Sequence, residues 1–207
     1  MKKIKIMFAA LCSLSLITIS AKAQDRKLKL HLNYNYSLPV NGFKSDLVSN
    51  TSPRGFNGSL MYTFNNKWEG GLSVGYQDYY QKYGRTIYSL SKTQDVSAVL
   101  TNSIQTTPVL LTARFSPLNT TFMKPYIAAG AGVNITDFRQ YLGEFGSEQT
   151  SAGFLAQGAL GVTIPFGRLK TSGFDVGANY DYSPYNKYGY SDLNTINAHA
   201  GVFFQIK

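Results

Sequence analysis

Two histidines, His31 and His199, are the only imidazoles in the 207-residue chain, and Cys12 is its only thiol. A hydrolytic or acyl-transfer centre needs a nucleophile beside the histidine and an acid to orient it. His199 sits in Asn197-Ala198-His199-Ala200, where the strand offers no serine within reach. No metal-ligand spacing, phosphate loop or nucleophile motif appears elsewhere. Gly130 and Gly132, in Ala-Gly-Ala-Gly-Val, belong to a strand and serve close packing rather than a nucleotide. The reading is therefore of a non-enzymatic chain, with no catalytic residue, cofactor or metal expected. Four charges carry more information: Lys29, Glu69, Arg114 and Asp175. If they share one interior at similar depth, they form a paired network, because charges away from bulk water need partners.

Whether they share an interior depends on the elements that hold them. From Leu28 the chain alternates Leu28, Leu30, Leu32, Tyr34, Tyr36, Leu38 with Lys29, His31, Asn33, Asn35, Ser37. One face is apolar and the other polar over the length of a membrane-spanning strand, about nine to eleven residues. Further strands are predicted over 56–64, 68–76, 109–115, 154–166, 174–182 and 196–206. Another lies near Pro125 to Ile135, where the alanine–glycine run leaves the facing open. Pro108 falls at the outer end of its strand or at a bulge, since it lacks a ladder donor.

The connections alternate. Asn65-Asn66-Lys67 and 167–171 are short and 116–124 is moderate, whereas 39–54, 80–103, 137–151 and 183–194 are longer. Sorting of loops by side suits an antiparallel barrel across a membrane, with the short side periplasmic. The stretch from Arg85 to Thr107 keeps alternating, so that hairpin extends beyond the membrane. Aromatics band at both strand ends. Phe64, Trp68, Phe115, Phe166, Phe174 and Phe204 lie near the short turns, and Tyr34, Tyr36, Phe56, Tyr76, Phe154, Tyr180 and Tyr182 near the long loops. Such belts match the two interfaces of a bilayer. The expected fold class is all-β, an eight-stranded antiparallel up-and-down transmembrane barrel. An open edge in hydrocarbon would leave backbone groups unpaired, so the last strand must meet the first.

Lys29, Glu69, Arg114 and Asp175 then all face the lumen toward the periplasmic end, and His31 and His199 also fall on lumen faces. The charges serve either a plug or a gate on a narrow polar path. The plug is favoured, because eight strands leave an interior that side chains fill. Lys67, Lys124, Arg168, Lys170 and Lys207 are expected to face inner-leaflet headgroups.

Residues 1–23 read as a secretory signal peptide, leaving 24–207 as the barrel domain. Lys2, Lys3 and Lys5 precede the apolar stretch Ile6 to Ile19, and Ala21-Lys22-Ala23 offers a cleavage site before Gln24. Cys12 lies inside that stretch, so the mature chain has no thiol. Removing four lysines leaves 16 basic residues against 11 acidic, a net charge of +5. That is too modest and too dispersed for nucleic acid.

The segments LKLHLNYNYSLP, WEGGLSVGYQDYY, PVLLTARF, KPYIAAGAGV and AHAGVFFQIK resemble the small OmpA/OmpX-like outer-membrane β-barrel domain proteins of Gram-negative bacteria. The likeness runs from Lys27 to Lys207. It implies a monomer in contact with outer-membrane lipids and, during biogenesis, with the barrel-insertion machinery. The chain departs from the pattern of many such barrels by ending Phe204-Gln205-Ile206-Lys207 rather than on an aromatic. The expected role is structural, or surface interaction through the long loops with an unknown extracellular ligand. A narrow channel for small solutes is the alternative, and a lipid-modifying enzyme the third reading.

Overall fold

The computed structural model describes residues 28–91, 94–118, 122–142, 145–187 and 190–206. The expected signal peptide and Lys207 lie outside them. The strands are β1 (Leu28–Pro39), β2 (Ser52–Thr63), β3 (Trp68–Ser91), β4 (Gln94–Phe115) and β5 (Lys124–Leu142). They continue with β6 (Phe145–Phe166), β7 (Ser172–Tyr182), β8 (Pro184–Lys187), β9 (Tyr190–Asp192) and β10 (Thr195–Ile206). Strands β1 to β7 and β10 close into an eight-stranded antiparallel barrel, while β8 and β9 form a separate ribbon. Closure is by β1 on β10, in unbroken register from Leu28↔Ile206 to Pro39↔Thr195. No helix among the described residues is long and apolar enough to cross a membrane.

The alternating pattern explains which face each residue takes. Leu72, Leu111, Leu160, Phe174 and Val176 point outward and are exposed, whereas His31, Arg114, Asp175 and Asn179 are buried inside. A twelve-residue strand is about 40 Å long, or about 30 Å after a tilt of ~40°, which matches a hydrocarbon core. Contiguous apolar surface on this scale is solvated by acyl chains, not by water. Pairs such as Trp68–Phe115 (4.7 Å between centroids) and Phe166–Phe174 (5.2 Å) mark one rim, and Phe56–Tyr76 (5.5 Å) the other.

The fifth strand takes a definite facing. Tyr126, Asn134, Thr136 and Phe138 are buried inside, and Ile127, Val133 and Ile135 face out. Gly132 is needed where it stands: a Cβ there would lie 2.0 Å from the Val109 carbonyl oxygen. Pro108 corrects the expectation of a strand end or bulge, because it lies inside the 22-residue β4. It pairs with Asn134 on β5. On the β3 side the pairing lapses between Val74↔Val109 and Gln77↔Thr106 with no change of register. Gly75 makes room for the ring, since a Cβ there would come within 3.0 Å of it.

The loops expected over 80–103 and 137–151 are largely strand. β3 and β4 run 24 and 22 residues, and β5 and β6 run 19 and 22, about twice the membrane requirement. These four contiguous strands project roughly 20–30 Å past the bilayer on the long-loop side. The remaining strands stop near the membrane surface. There the expected loop 39–54 contains a single π turn, Phe43–Leu47, and the loop 183–194 contains the β8–β9 ribbon.

Candidate functional site

Inward-facing side chains fill the barrel in tiers. At the periplasmic end Lys29 of β1 forms an ion pair with Glu69 of β3, which also accepts a hydrogen bond from Thr63. Glu69 and Arg114 are register partners on adjacent strands. Arg114 nevertheless turns away from Glu69, lies over the Tyr126 ring (3.8 Å to its centroid) and crosses the lumen to β7. There Nη1 and Nη2 both donate to Asp175 Oδ2 at 3.1 Å. The four charges named from the sequence thus stand as two pairs, Lys29–Glu69 and Arg114–Asp175.

Asp175 is fully buried and gathers more partners than its charge alone indicates. His31 Nδ1 donates to Oδ2 at 2.8 Å, and the Tyr126 hydroxyl donates to Oδ1 at 2.8 Å. An ionised carboxylate only accepts, so the protons lie on His31 Nδ1 and on the tyrosine oxygen. His199 Nε2 stands 3.0 Å from that same oxygen and is then its donor. One carboxylate therefore ties β1, β4, β5, β7 and, through Tyr126, β10. Neither histidine meets a serine or threonine in these contacts. Among the described residues no group of three or more His, Cys, Asp and Glu is placed to hold a metal ion.

The next tier is built on a second carboxylate that has no cationic partner among the described residues. Asp181 accepts from Gln157 Nε2 (2.8 Å), Asn179 Nδ2 (2.9 Å) and Asn197 Nδ2 (2.9 Å). Above it an apolar cap closes the outer mouth. Phe43, Leu47 and Val48 from the first loop pack with Tyr79, Ile104 and Phe138 on the inner face of the projecting strands, and with Tyr185 and Leu193. Phe43 meets Tyr79 edge to face at 4.8 Å. The cap is tied to its surroundings: Val40 N–H donates to Asn194 O (3.0 Å), and Asn102 Nδ2 to Leu47 O (3.0 Å). On the projection, the hydrogen bond from Arg139 Nε to Glu148 Oε1 (2.7 Å) raises the arginine's pKa.

Between the tiers lie small cavities of about 40 Å³ each. The middle one is bordered by Asn33, Thr112, Arg114 and His199. Asn33 Oδ1, Thr112 Oγ1, Arg114 Nε and His199 Nδ1 are buried there without a protein partner among the described residues. Each such cavity has room for about three waters.

Lys124 corrects the expectation that it faces lipid headgroups. It is the first residue of β5, on the face of Tyr126, and it borders the lumen mouth with Lys29 and Lys170. Tyr126 and the Asp181 cluster escaped the sequence reading. Tyr126 lies in the strand whose facing alanine and glycine blur, and Asp181 reads there as one more polar inner position.

The family described as outer membrane protein beta-barrel domain matches residues 9–204. Among solved structures the chain is similar to Neisserial surface protein A, with 15% identity, 86% of this chain and 97% of that one covered, and a TM-score of 0.52. It is also similar to the N-terminal β-barrel domain of OprF from Pseudomonas aeruginosa, with 16% identity, coverage of 85% and 96%, and a TM-score of 0.46. A third is OprG from Pseudomonas aeruginosa, with 15% identity, coverage of 86% and 95%, and a TM-score of 0.46. At such identities the likeness is one of fold. No match is found among curated proteins.

Proposed function

Because the chain belongs to the outer membrane protein beta-barrel domain family, and so to the cell outer membrane, we propose that it is a non-conducting, non-enzymatic anchor that presents its projecting strands to an extracellular ligand. The observation that carries this reading is the combination of a capped lumen with a one-sided projection. Strands β3 to β6 extend far beyond membrane need, while the Phe43–Leu47 turn and Leu193 cover the opening beside them. A conduit gains nothing from such a projection, whereas a binding surface gains reach.

The mature chain lacks cysteine if residues 1–23 are removed, so single cysteines can report exposure. Ile87→Cys on the projection should react with a membrane-impermeant maleimide on intact cells, and Lys67→Cys at the short turn should not. Equal labelling of both, or the reverse order, would refute the orientation. Planar-bilayer recordings test the lumen: the purified protein should give no steady openings. The narrow-channel reading draws on the polar cavities between the tiers. Steady openings abolished by neutralising Arg114 would establish it instead.

A further inference from the structure

The periplasmic mouth of the lumen holds a feature that neither anchoring nor surface presentation uses. Lys29, His31, Glu69, half-buried Lys124, exposed Lys170 and Phe203 border a partly open cavity of about 40 Å³, alongside Ser116 and Thr163. Three lysines face one carboxylate, and that carboxylate is held by Lys29. Among the described residues Lys124 and Lys170 form no ion pair, so the cavity keeps a formal excess of two positive charges. Lys170 is also one of two described non-glycine residues with positive φ (51°), in the turn that begins at Gly167. A lysine is uncommon in that backbone region, and the turn carries it to the mouth.

His31 supplies the independent observation. Its ring is buried and stacks on Phe203, with centroids 5.5 Å apart. The Nδ1 edge is engaged by Asp175, and His31 is among the residues that border this cavity. Nε2 is buried without a hydrogen-bond partner among the described residues. A buried polar atom left unpaired is costly, and here it stands beside unneutralised cations.

We propose that the mouth binds one phosphate-class oxyanion, seated between Lys124 and Lys170 and hydrogen-bonded to His31 Nε2. The oxyanion is either free inorganic phosphate or the phosphate of a lipid headgroup. A tetrahedral oxyanion is about the size of the cavity, and it neutralises both lysines. It also satisfies Nε2 in either protonation state: as N–H the atom donates to a phosphoryl oxygen, and as a bare nitrogen it accepts from a P–O–H.

The test uses the two histidines as internal probes. The folded barrel in maltoside micelles, which contain no phosphate, is titrated with inorganic phosphate while imidazole resonances and binding heat are recorded. The expected result is one saturable site that moves His31 more than His199, which borders a different cavity and is joined to His31 only through Asp175 and Tyr126. Lys124→Gln/Lys170→Gln should weaken binding at least tenfold, while Lys44→Gln at the far end should not. Folding of each variant is checked by its heat-dependent mobility, and the contrast between the histidines stands in the unmodified protein regardless. If a short-chain phosphatidylglycerol moves His31 and inorganic phosphate does not, the site holds and the headgroup is its source. If neither moves His31, or both histidines shift together without saturation, the proposal is overturned.

Discussion

Replacing Asp175 by asparagine keeps the side chain's shape and removes its charge. Asp175 is fully buried and accepts from Arg114 twice, from His31 and from Tyr126. The substituted amide would turn an NH₂ group toward donors and leave the Arg114 guanidinium without a counter-ion. Glu69, which stands nearest in register, is already engaged by Lys29. Removing one partner of a buried ion pair costs roughly 3–5 kcal/mol. Against a typical stability of about 5–15 kcal/mol that is a large share. The Lys29–Glu69 pair is more open, with side chains 19% and 13% exposed, so Glu69→Gln should cost less, about 1–2 kcal/mol. The assay is urea unfolding in phospholipid vesicles, followed by Trp68, the only tryptophan, on the lipid face at the short-turn rim. Asp175→Asn/Arg114→Met should recover at least half of the loss, because no buried charge then remains unpaired. A single Asp175→Asn variant within about 1 kcal/mol of the parent would refute the reasoning. It would mean that water in the lumen carries the Arg114 charge.

Leu111 and Ile87 are equally exposed, at 69% each, but Leu111 lies in the spanning part of β4 and Ile87 on the projection. Leu111→Arg should cost about 2–4 kcal/mol in vesicles and Ile87→Arg under about 0.5 kcal/mol. Equal effects would remove the membrane assignment of the apolar band. Gly132→Val should abolish the heat-modifiable folded form on gels, because its Cβ would meet the Val109 carbonyl at 2.0 Å. Normal folding of that variant would show that β4 and β5 can separate there. Cleavage after Ala23 should leave a mature chain starting at Gln24. Intact-mass measurement on protein from the outer membrane checks this, and retention of residues 1–23 would exclude it.

The spanning face was legible because acyl chains reward one side of each strand and the lumen the other. That contrast gives the period of two in Leu28–Leu38 and Phe154–Phe166. It fades where β3 and β4 leave the membrane, since outward residues such as Tyr80 and Lys82 meet water there, and the hairpin reads as loop. In β5 the run Ala128 to Gly132 fits either face, and Tyr126 and Asn134 alone reveal which is inside. Parity also placed Lys29, Glu69, Arg114 and Asp175 on inner positions, but parity says nothing of partners. Curvature of the closed wall brings Arg114 to Asp175 across three strand intervals, in preference to its register neighbour Glu69. Lys124 was misread because a residue at a strand's first position resembles one in the turn before it.

His31 and Asp175 are 144 residues apart in sequence, and Val40 is joined to Asn194 across a similar span. Each link joins the first part of the sheet to its far end, so neither persists until the sheet curls toward closure. The wall can therefore grow hairpin by hairpin, but the contents of the lumen and the lid above it assemble together at the last step. A partly inserted intermediate would expose the Phe43–Leu47 turn to protease, and a finished barrel would shield it. The interior thus acts as a latch that engages once, when the two ends of the sheet meet.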